Sequence, residues 1–349
     1  MKIHEKYMSR AISVGKNAMR HSYPNPMVGC VIVYKNKIIS EGFTSSFGGP
    51  HAEANAINSL KDKTLLSKAT LYVTLEPCAH YGNTPPCTNL IIAHKIPRVV
   101  IGVLDPNPKV SGKGIALLEA SGSEVIVGVL SLACKWHHRR FLILQEKKRP
   151  YIILKWAQSA DAFIAPPSKG RTPYWISSAI SKQRTHQWRS QEHAILIGAN
   201  TLLDDNPSLD VRLWQGLSPV PIYIDRDLSI APLAPLFKKH AKIFCITSIS
   251  SLPKNDNNAI VYLAIDFNMP IASQITNLLY KQNIMSLIVE GGAKTLAYFI
   301  DEGLWDEARV FKSSYILKRG IEAPEISGKL QLTETMYTDV LEVLVPHFD

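Results

Sequence analysis

Hydrophobic and polar positions along the first 148 residues change period in a regular rhythm. Tyr7, Ala11, Val14 and Ala18 recur at helical spacing and predict an amphipathic helix over about 3–20 with that face inward. Two runs of strand length follow, VGCVIVYK and KIISEGF. A helix from about His51, the strand ATLYVTLE, a helix near 86–94, the strand RVVIGVL, a helix near 114–121 and the strand EVIVGV continue the alternation. A last helix spans about 131–145. Short apolar strands between helices predict an α/β architecture, with helices on a largely parallel or mixed sheet. The basic run Lys147-Lys148-Arg149 before Pro150 interrupts the pattern and marks a domain boundary, giving units 1–148 and 149–349.

The second half opens on the strand YIILKWAQ and resumes the same rhythm. Further strands are HAILIGA, PIYID, AKIFCIT, IVYLAI, SLIVEGG and ARVFKS, with helices near 178–191, 271–283 and 293–302. Ser177 or Ser178 is placed to cap the first of these helices. A second α/β domain is expected.

Composition narrows the classes. The N-terminal stretch lacks a signal-like apolar core, and no apolar run approaches the roughly 18 residues of a membrane span. A cytoplasmic protein without a membrane partner is therefore expected. The formal charge of +10 is uneven: residues 1–148 hold 19 Lys/Arg and 9 Asp/Glu, whereas 149–349 hold 20 of each. Such an excess suits an anionic ligand, a phosphate ester or a nucleic acid, or serves solubility alone. Five scattered cysteines argue against a disulfide framework and leave metal binding or packing. Cys30, Cys134 and Cys245, in apolar stretches, read as packing residues.

His51-Ala52-Glu53 and Pro77-Cys78…Cys87 carry the strongest chemical signal. One histidine and two thiolates make a three-ligand zinc site with a fourth position open to water, whose pKa the metal lowers. Glu53, free of the metal, would shuttle a proton from water to a departing amine; zinc base deaminases with the signature H-x-E…P-C-x-x-C divide the labour in this way. A place in the first turn of a helix aims His51 and Glu53 to one side, because residues two apart in a regular helix diverge by about 200°. Position 81 is tyrosine, so the second cysteine is displaced to Cys87 by AHYGNTPP. His80 is a possible fourth ligand or a substrate contact. Asn25, in a loop before a strand, would hydrogen-bond a pyrimidine edge or close an Asx turn. In the second half there is no G-x-G-x-x-G after a strand. The local signal is Glu290-Gly291-Gly292 at a helix start, which suits a phosphate or marks a plain glycine turn.

With PNPMVGC (24–30), His51-Ala52-Glu53 and TLEPCAHYGNTPPC (74–87), the chain resembles the bifunctional deaminase–reductases of riboflavin biosynthesis, from about residue 5 to 330. The resemblance implies a three-layer cytidine-deaminase-like domain followed by a dihydrofolate-reductase-like domain, with zinc and NADPH as cofactors. It also implies a small phosphoribosyl pyrimidine as substrate and a homodimer or higher homo-oligomer. Metal ligands His51, Cys78 and Cys87, proton carrier Glu53 and substrate contact Asn25 belong to the first domain. In the second, the resemblance places Ala157, Trp175, Thr201, Asp205 and the run Gly292, Ala293, Lys294, Thr295, Leu296, Ala297, Tyr298 on NADPH. It places Arg189, Leu209, Arg212 and Glu290 on the substrate, the two arginines clamping a phosphate. Two positions depart from the family pattern: Ala162 follows Asp161 where glycine is usual, and Pro173 stands where members often have serine. Rival readings are a nucleic-acid base deaminase with an accessory domain, a zinc-stabilised module without activity, and a deaminase with a degenerate reductase half.

Overall fold

In the computed structural model, which describes residues 2–81, 85–106, 111–167, 174–231, 235–253 and 259–347, the first apolar runs pair side by side. Strand β1 (Gly29–Tyr34) lies antiparallel to β2 (Lys37–Phe43) and to β3 (Thr70–Leu75). Strands β4 (Arg98–Val103) and β5 (Glu124–Val127) continue parallel to β3. Helix α1 (Lys2–Gly15) packs on β1 and β3 and touches α5 (Ser131–Lys147), while α2 (Ala52–Ser59) packs on β1 and β2. The two helices lie on opposite faces, and two glycines permit their approach: a Cβ on Gly29 would collide with the Ala11 carbonyl, and one on Gly42 with that of Ala52. Helix α3 (Cys87–Ala93) joins α2 to α4 (Lys113–Ala120) on the second face. The result is a three-layer α/β/α sandwich. Tyr7, Ala11, Val14 and Ala18 are all buried, although α1 ends at Gly15 and a 3₁₀ turn carries the face on to Ala18.

The chain divides into Met1–Lys148 and Arg149–Asp349. The second unit contains β6 (Tyr151–Gln158), β7 (Phe163–Ala165), α6 (Ala179–Gln191), β8 (Ala194–Gly198), α7 (Ala199–Asp205), β9 (Val220–Ile224), α8 (Pro235–Lys239), β10 (Ile243–Ser248) and β11 (Ile260–Ile265). It continues with α9 (Ile271–Lys281), β12 (Ser286–Val289), α10 (Ala293–Asp301), β13 (Glu307–Ser313), β14 (Ile321–Glu322), β15 (Lys329–Met336) and β16 (Asp339–Val345). Nine strands form one sheet in the order β11-β10-β9-β8-β12-β6-β13-β16-β15. Pairing is parallel from β11 to β13 and antiparallel at β16 and β15. The central strands β6, β12 and β8 read as continuous apolar runs because the sheet is covered on both faces; Ile152, Ile153, Leu196 and Leu287 are fully buried.

The hairpin β15–β16 and the short helices α7 and α8 are not foreseen by the apolar pattern. Strand β15 sits at the sheet edge with Leu330 and Leu332 about half exposed, so its ladder with β16, not burial, makes it a strand. The hairpin is tied back by Asp339, whose carboxylate accepts from the Ser178 amide and the Ser181 hydroxyl at the start of α6. Ser178 is the cap of that helix, its Oγ accepting from the Ser181 N–H. Ala162 lies in the left-handed region at φ +63°, and Pro173 falls outside the described residues.

Candidate active sites

Three short segments bring the first site together. His51 is the extended residue before α2, so its side chain is free of the helix and caps nothing. Cys78 follows β3, and Cys87 is the first residue of α3. Their ligand atoms converge within 4.8 Å, with His51 Nδ1 at 3.5 Å from Cys78 Sγ and 3.4 Å from Cys87 Sγ. A tetrahedral zinc with Zn–S of about 2.3 Å and Zn–N of about 2.0–2.1 Å sets its N and S ligands roughly 3.5–3.6 Å apart. The donor set and its spacing therefore fit zinc. Among the described residues, His80 is not part of the cluster; it borders the adjoining cavity.

Hydrogen bonding orders the charges. The Cys87 amide donates to Cys78 Sγ, and the Thr88 amide and hydroxyl donate to the Cys78 carbonyl, fixing the loop against the start of α3. Hydrogen bonding from the Cys87 thiol and from His51 holds Cys78 at about 4. The same contact, with burial, drives the Cys87 thiol upward, and Cys78 raises His51. Glu53, in the first turn of α2, is 3% exposed. Burial, followed by the Cys78 charge, raises its carboxyl to about 7.

A cavity of about 270 Å³ opens onto this cluster, bordered by His51, Glu53, Cys78 and Asn25. The Asn25 side chain closes no Asx turn among the described residues and is left to face the cavity. Glu76, Asp105, Phe141 and Gln145 also border it, and the sequence reading missed them. Asp105 follows strand β4, the same kind of address that marked Cys78, so that rule could have found it. Phe141 and Gln145 come from α5, far along the chain, and nothing local marks them. Glu76 acts behind the wall: its buried carboxylate accepts from the amides of Asp105, Gly112 and Gly114.

The second unit gathers its predicted residues around the end of β12. Two adjoining cavities, of about 420 and 600 Å³, share Trp175, Thr201, Asp205 and Glu290. The first also takes Arg189, Leu209 and Arg212; the second takes Ala157, Gly292, Ala293, Lys294, Thr295, Leu296 and Tyr298. Ala297 borders neither, because its place on α10 turns it away from the rest of the run. Gly291 adopts φ +104° and the Gly291–Gly292 peptide is cis. The Gly292 amide donates to Thr201 Oγ1 at 2.8 Å, joining α7 to the start of α10.

The arginines are not the open clamp expected of them. Arg189 is held bidentately by Glu290 at 2.8 and 2.7 Å, and Arg212 by Asp210 at 2.6 Å. Burial pushes the Glu290 carboxyl up, but Arg189 and Lys155 outweigh it and hold it at about 2. Lys155, Lys182, His186 and Lys239 also line the first of these cavities, and none was singled out. Lys155 alone had a signal, a charge in the otherwise apolar run YIILKWAQ.

Residues 1–103 match the cytidine and deoxycytidylate deaminase zinc-binding region, and residues 150–336 match the RibD C-terminal domain. Fold and site thus define a zinc-deaminase domain joined to a reductase domain. Riboflavin biosynthesis protein RibD of Aquifex aeolicus (strain VF5) is 37% identical over 329 residues, covering 93% of this chain and 90% of the relative. The protein of the same name from Escherichia coli (strain K12) is 32% identical over 328 residues, covering 90% and 88%. Among solved structures, the diaminohydroxyphosphoribosylaminopyrimidine deaminase/5-amino-6-(5-phosphoribosylamino)uracil reductase of Thermotoga maritima matches with a TM-score of 0.90 at 35% identity, covering 99% of each chain. The chain belongs to the RibD family of riboflavin biosynthesis proteins.

Proposed function

We propose that the two units catalyse successive steps of riboflavin biosynthesis. Residues 1–148 deaminate diaminohydroxyphosphoribosylaminopyrimidine to 5-amino-6-(5-phosphoribosylamino)uracil, and residues 149–349 use NADPH to reduce its ribosyl group to ribityl. The observation that carries the reading is the convergence of His51, Cys78 and Cys87 beside buried Glu53, in a chain whose second half matches the RibD C-terminal domain.

His51 Nδ1, Cys78 Sγ and Cys87 Sγ are the ligands for zinc. When bound, the metal supplies a Lewis acid that eases the ionisation of water near neutral pH. A Glu53 carboxylate oxygen takes the proton from the attacking water and passes it to the amino group as the ring C–O bond forms and the C–N bond breaks, releasing ammonia. Burial raises the Glu53 carboxyl above its ordinary range, which suits a group that must both accept and donate a proton. Asn25 orients the pyrimidine edge, and Phe141 gives the cavity an apolar wall.

In the second unit, NADPH, when bound, would supply a hydride for the anomeric carbon of the sugar. A proton goes to the ring oxygen as its bond to that carbon breaks, opening ribosyl to ribityl. Ala157, Trp175, Thr201, Asp205 and the turn from Gly292 to Tyr298 hold the cofactor; Glu290, Arg189, Leu209 and Arg212 hold the substrate side. Their task is to orient the two reactants and exclude water. The reading includes residence in the cytoplasm and assembly as a homodimer or higher homo-oligomer; no helix among the described residues is long and apolar enough to cross a membrane.

The test is a reaction of zinc-loaded protein with the diamino-pyrimidinone substrate, followed by mass. Exchange of an amino group for oxygen without cofactor, then gain of two hydrogens on adding NADPH, is the expected result. Deamination alone would restrict the reading to the first unit, and no reaction at all would sink it.

A further inference from the structure

Among the described residues, five cations border the 420 Å³ cavity: Lys155, Lys182, Arg189, Arg212 and Lys239. Glu290 holds Arg189 and lies 3.9 Å from Lys155, while Asp210 holds Arg212 at 2.6 Å and Lys239 at 2.8 Å. Lys182 differs from the other four. No carboxylate among the described residues reaches it, and its Nζ rests 3.6 Å over the Trp175 ring. Among the described residues the wall holds two carboxylates, Glu290 and Asp205, against these five cations, with Asp210 behind Arg212 and Lys239, so the described surroundings are net positive. A phosphate monoester carries about −1.5 to −2 near neutral pH.

We propose that Lys182 is the residue that recognises the phosphate group of the sugar phosphate in this cavity, exchanging the Trp175 ring for the phosphate oxygens. The proposal rests on the reductase reading of the second unit. The lysine has the most to gain from an anion. Burial disfavours its charge, and Arg212 and Arg189 add repulsion with no carboxylate to offset them. A partly exposed cation–π contact is weaker than a charge-assisted bond to phosphate. His186 stands beside it as a neutral donor. Its Nδ1 accepts the Arg212 amide, which places the ring proton on Nε2, and burial with Arg189 and Arg212 keeps the ring neutral.

The experiment measures steady-state reduction, and inhibition by ribose 5-phosphate, in the full-length protein and its Lys182→Gln, Lys182→Met and Lys182→Arg variants. Loss of a charge-assisted contact predicts a KM for the sugar-phosphate substrate and an inhibition constant for ribose 5-phosphate both raised about ten- to hundredfold in the Gln and Met variants. Their kcat and KM for NADPH stay near wild type, which also reports that they fold; Lys182→Arg stays near wild type throughout. Ribose 5-phosphate changes the tryptophan fluorescence of the wild type, and the change is absent from Lys182→Gln and from Trp175→Phe. Active Gln and Met variants with unaltered substrate KM and ribose 5-phosphate inhibition would overturn the proposal and leave the reductase reading intact. A wild-type protein that neither reduces the substrate nor binds ribose 5-phosphate would overturn both.

Discussion

Nineteen lysines and arginines face nine carboxylates in the first 148 residues, and the remainder is balanced. Yet the described lining of the cavity beside the metal cluster contains no lysine or arginine, whereas that of the 420 Å³ cavity of the second unit contains five. The excess of the first unit sits on exposed positions such as Lys2, Lys37, Lys61, Lys63 and Lys68. Net charge records what a surface can solvate, and the charge of a site depends on a few buried groups and their partners. The first unit concentrates thiols, an imidazole and a displaced carboxyl; the second keeps fully ionised pairs. That contrast makes the two sites separable by substitution.

The largest separation is expected at Glu53. Glu53→Gln removes the proton carrier without touching the three metal ligands, and deamination should fall by about 10²–10⁴-fold. Zinc content per chain and NADPH-dependent reduction of the deaminated substrate should be unchanged. Metal analysis with separate assays of each step checks this; a concurrent loss of zinc would mean that Glu53 holds the ligand frame instead. Glu290→Gln is the counterpart in the second unit. It leaves the buried Arg189 without its counter-charge, and breaking such a pair costs about 3–5 kcal/mol. Denaturant unfolding measures the loss, and a change typical of a surface position would show that water already screens the pair.

Acid should also tell the units apart. In the first, His137 donates Nε2–H to the Met27 carbonyl, and burial, with nearby Lys16, Arg139 and Arg140, lowers it to about 4; burial drives its neighbour His138 well down too. A histidine depressed in the folded state stabilises fully above 6.5, and that stability is lost as pH falls towards 4. His137 alone accounts for up to about 3 kcal/mol over that window. Glu290 behaves differently: its carboxyl, near 2 when folded against an ordinary 4.5, stabilises above 4.5 and loses that contribution only between 4.5 and 2. Glu53, raised to about 7, opposes this by adding stability as pH falls from 7 to 4.5, so the comparison is made in Glu53→Gln protein. There the first unit, with His137 and His138 against His186 in the second, should weaken more between pH 6.5 and 4. Amide exchange, corrected for intrinsic rates and read on peptides of each unit, decides it. Equal loss in both would show that the imidazoles stay solvated.

What could be read from the sequence follows from how each feature is encoded. The metal cluster was legible because His51-Ala52-Glu53 and Pro77-Cys78…Cys87 form a recognisable signature of ligand types at the ends of elements, although 27 residues separate His51 from Cys78 and the fold brings them together. The strands were legible where both faces are buried, as in YIILKWAQ and SLIVEGG. Strand β15 was not, since Leu330 and Leu332 face outward and only the ladder with β16 defines it. Phe141 and Gln145 in one unit, and Lys239 in the other, reach their cavities from helices remote from the motifs; Lys182 and His186 share α6 with Arg189, but the apolar pattern does not separate a polar side chain that faces a cavity from one that faces solvent.

The smallest predicted effect tests a departure from the family pattern that the sequence exposed and the backbone explains. At the turn after β6, the Asp161 carboxylate accepts from the amides of Leu317 and Lys318, and the Ala162 amide donates to the Ser159 carbonyl. This turn holds Ala162 at φ +63°, where a Cβ meets its own backbone. Glycine takes that conformation without the clash, at the cost of extra freedom in the unfolded chain. The clash, roughly 1–2 kcal/mol, outweighs the entropy term, roughly 0.5–1 kcal/mol. Ala162→Gly should therefore stabilise the second unit by a net of about 1 kcal/mol and leave the first unit unaltered. Thermal unfolding compares the two proteins directly. A destabilised variant would mean that the turn is strained no further by alanine than by glycine, and that the family's glycine serves close approach to a ligand instead.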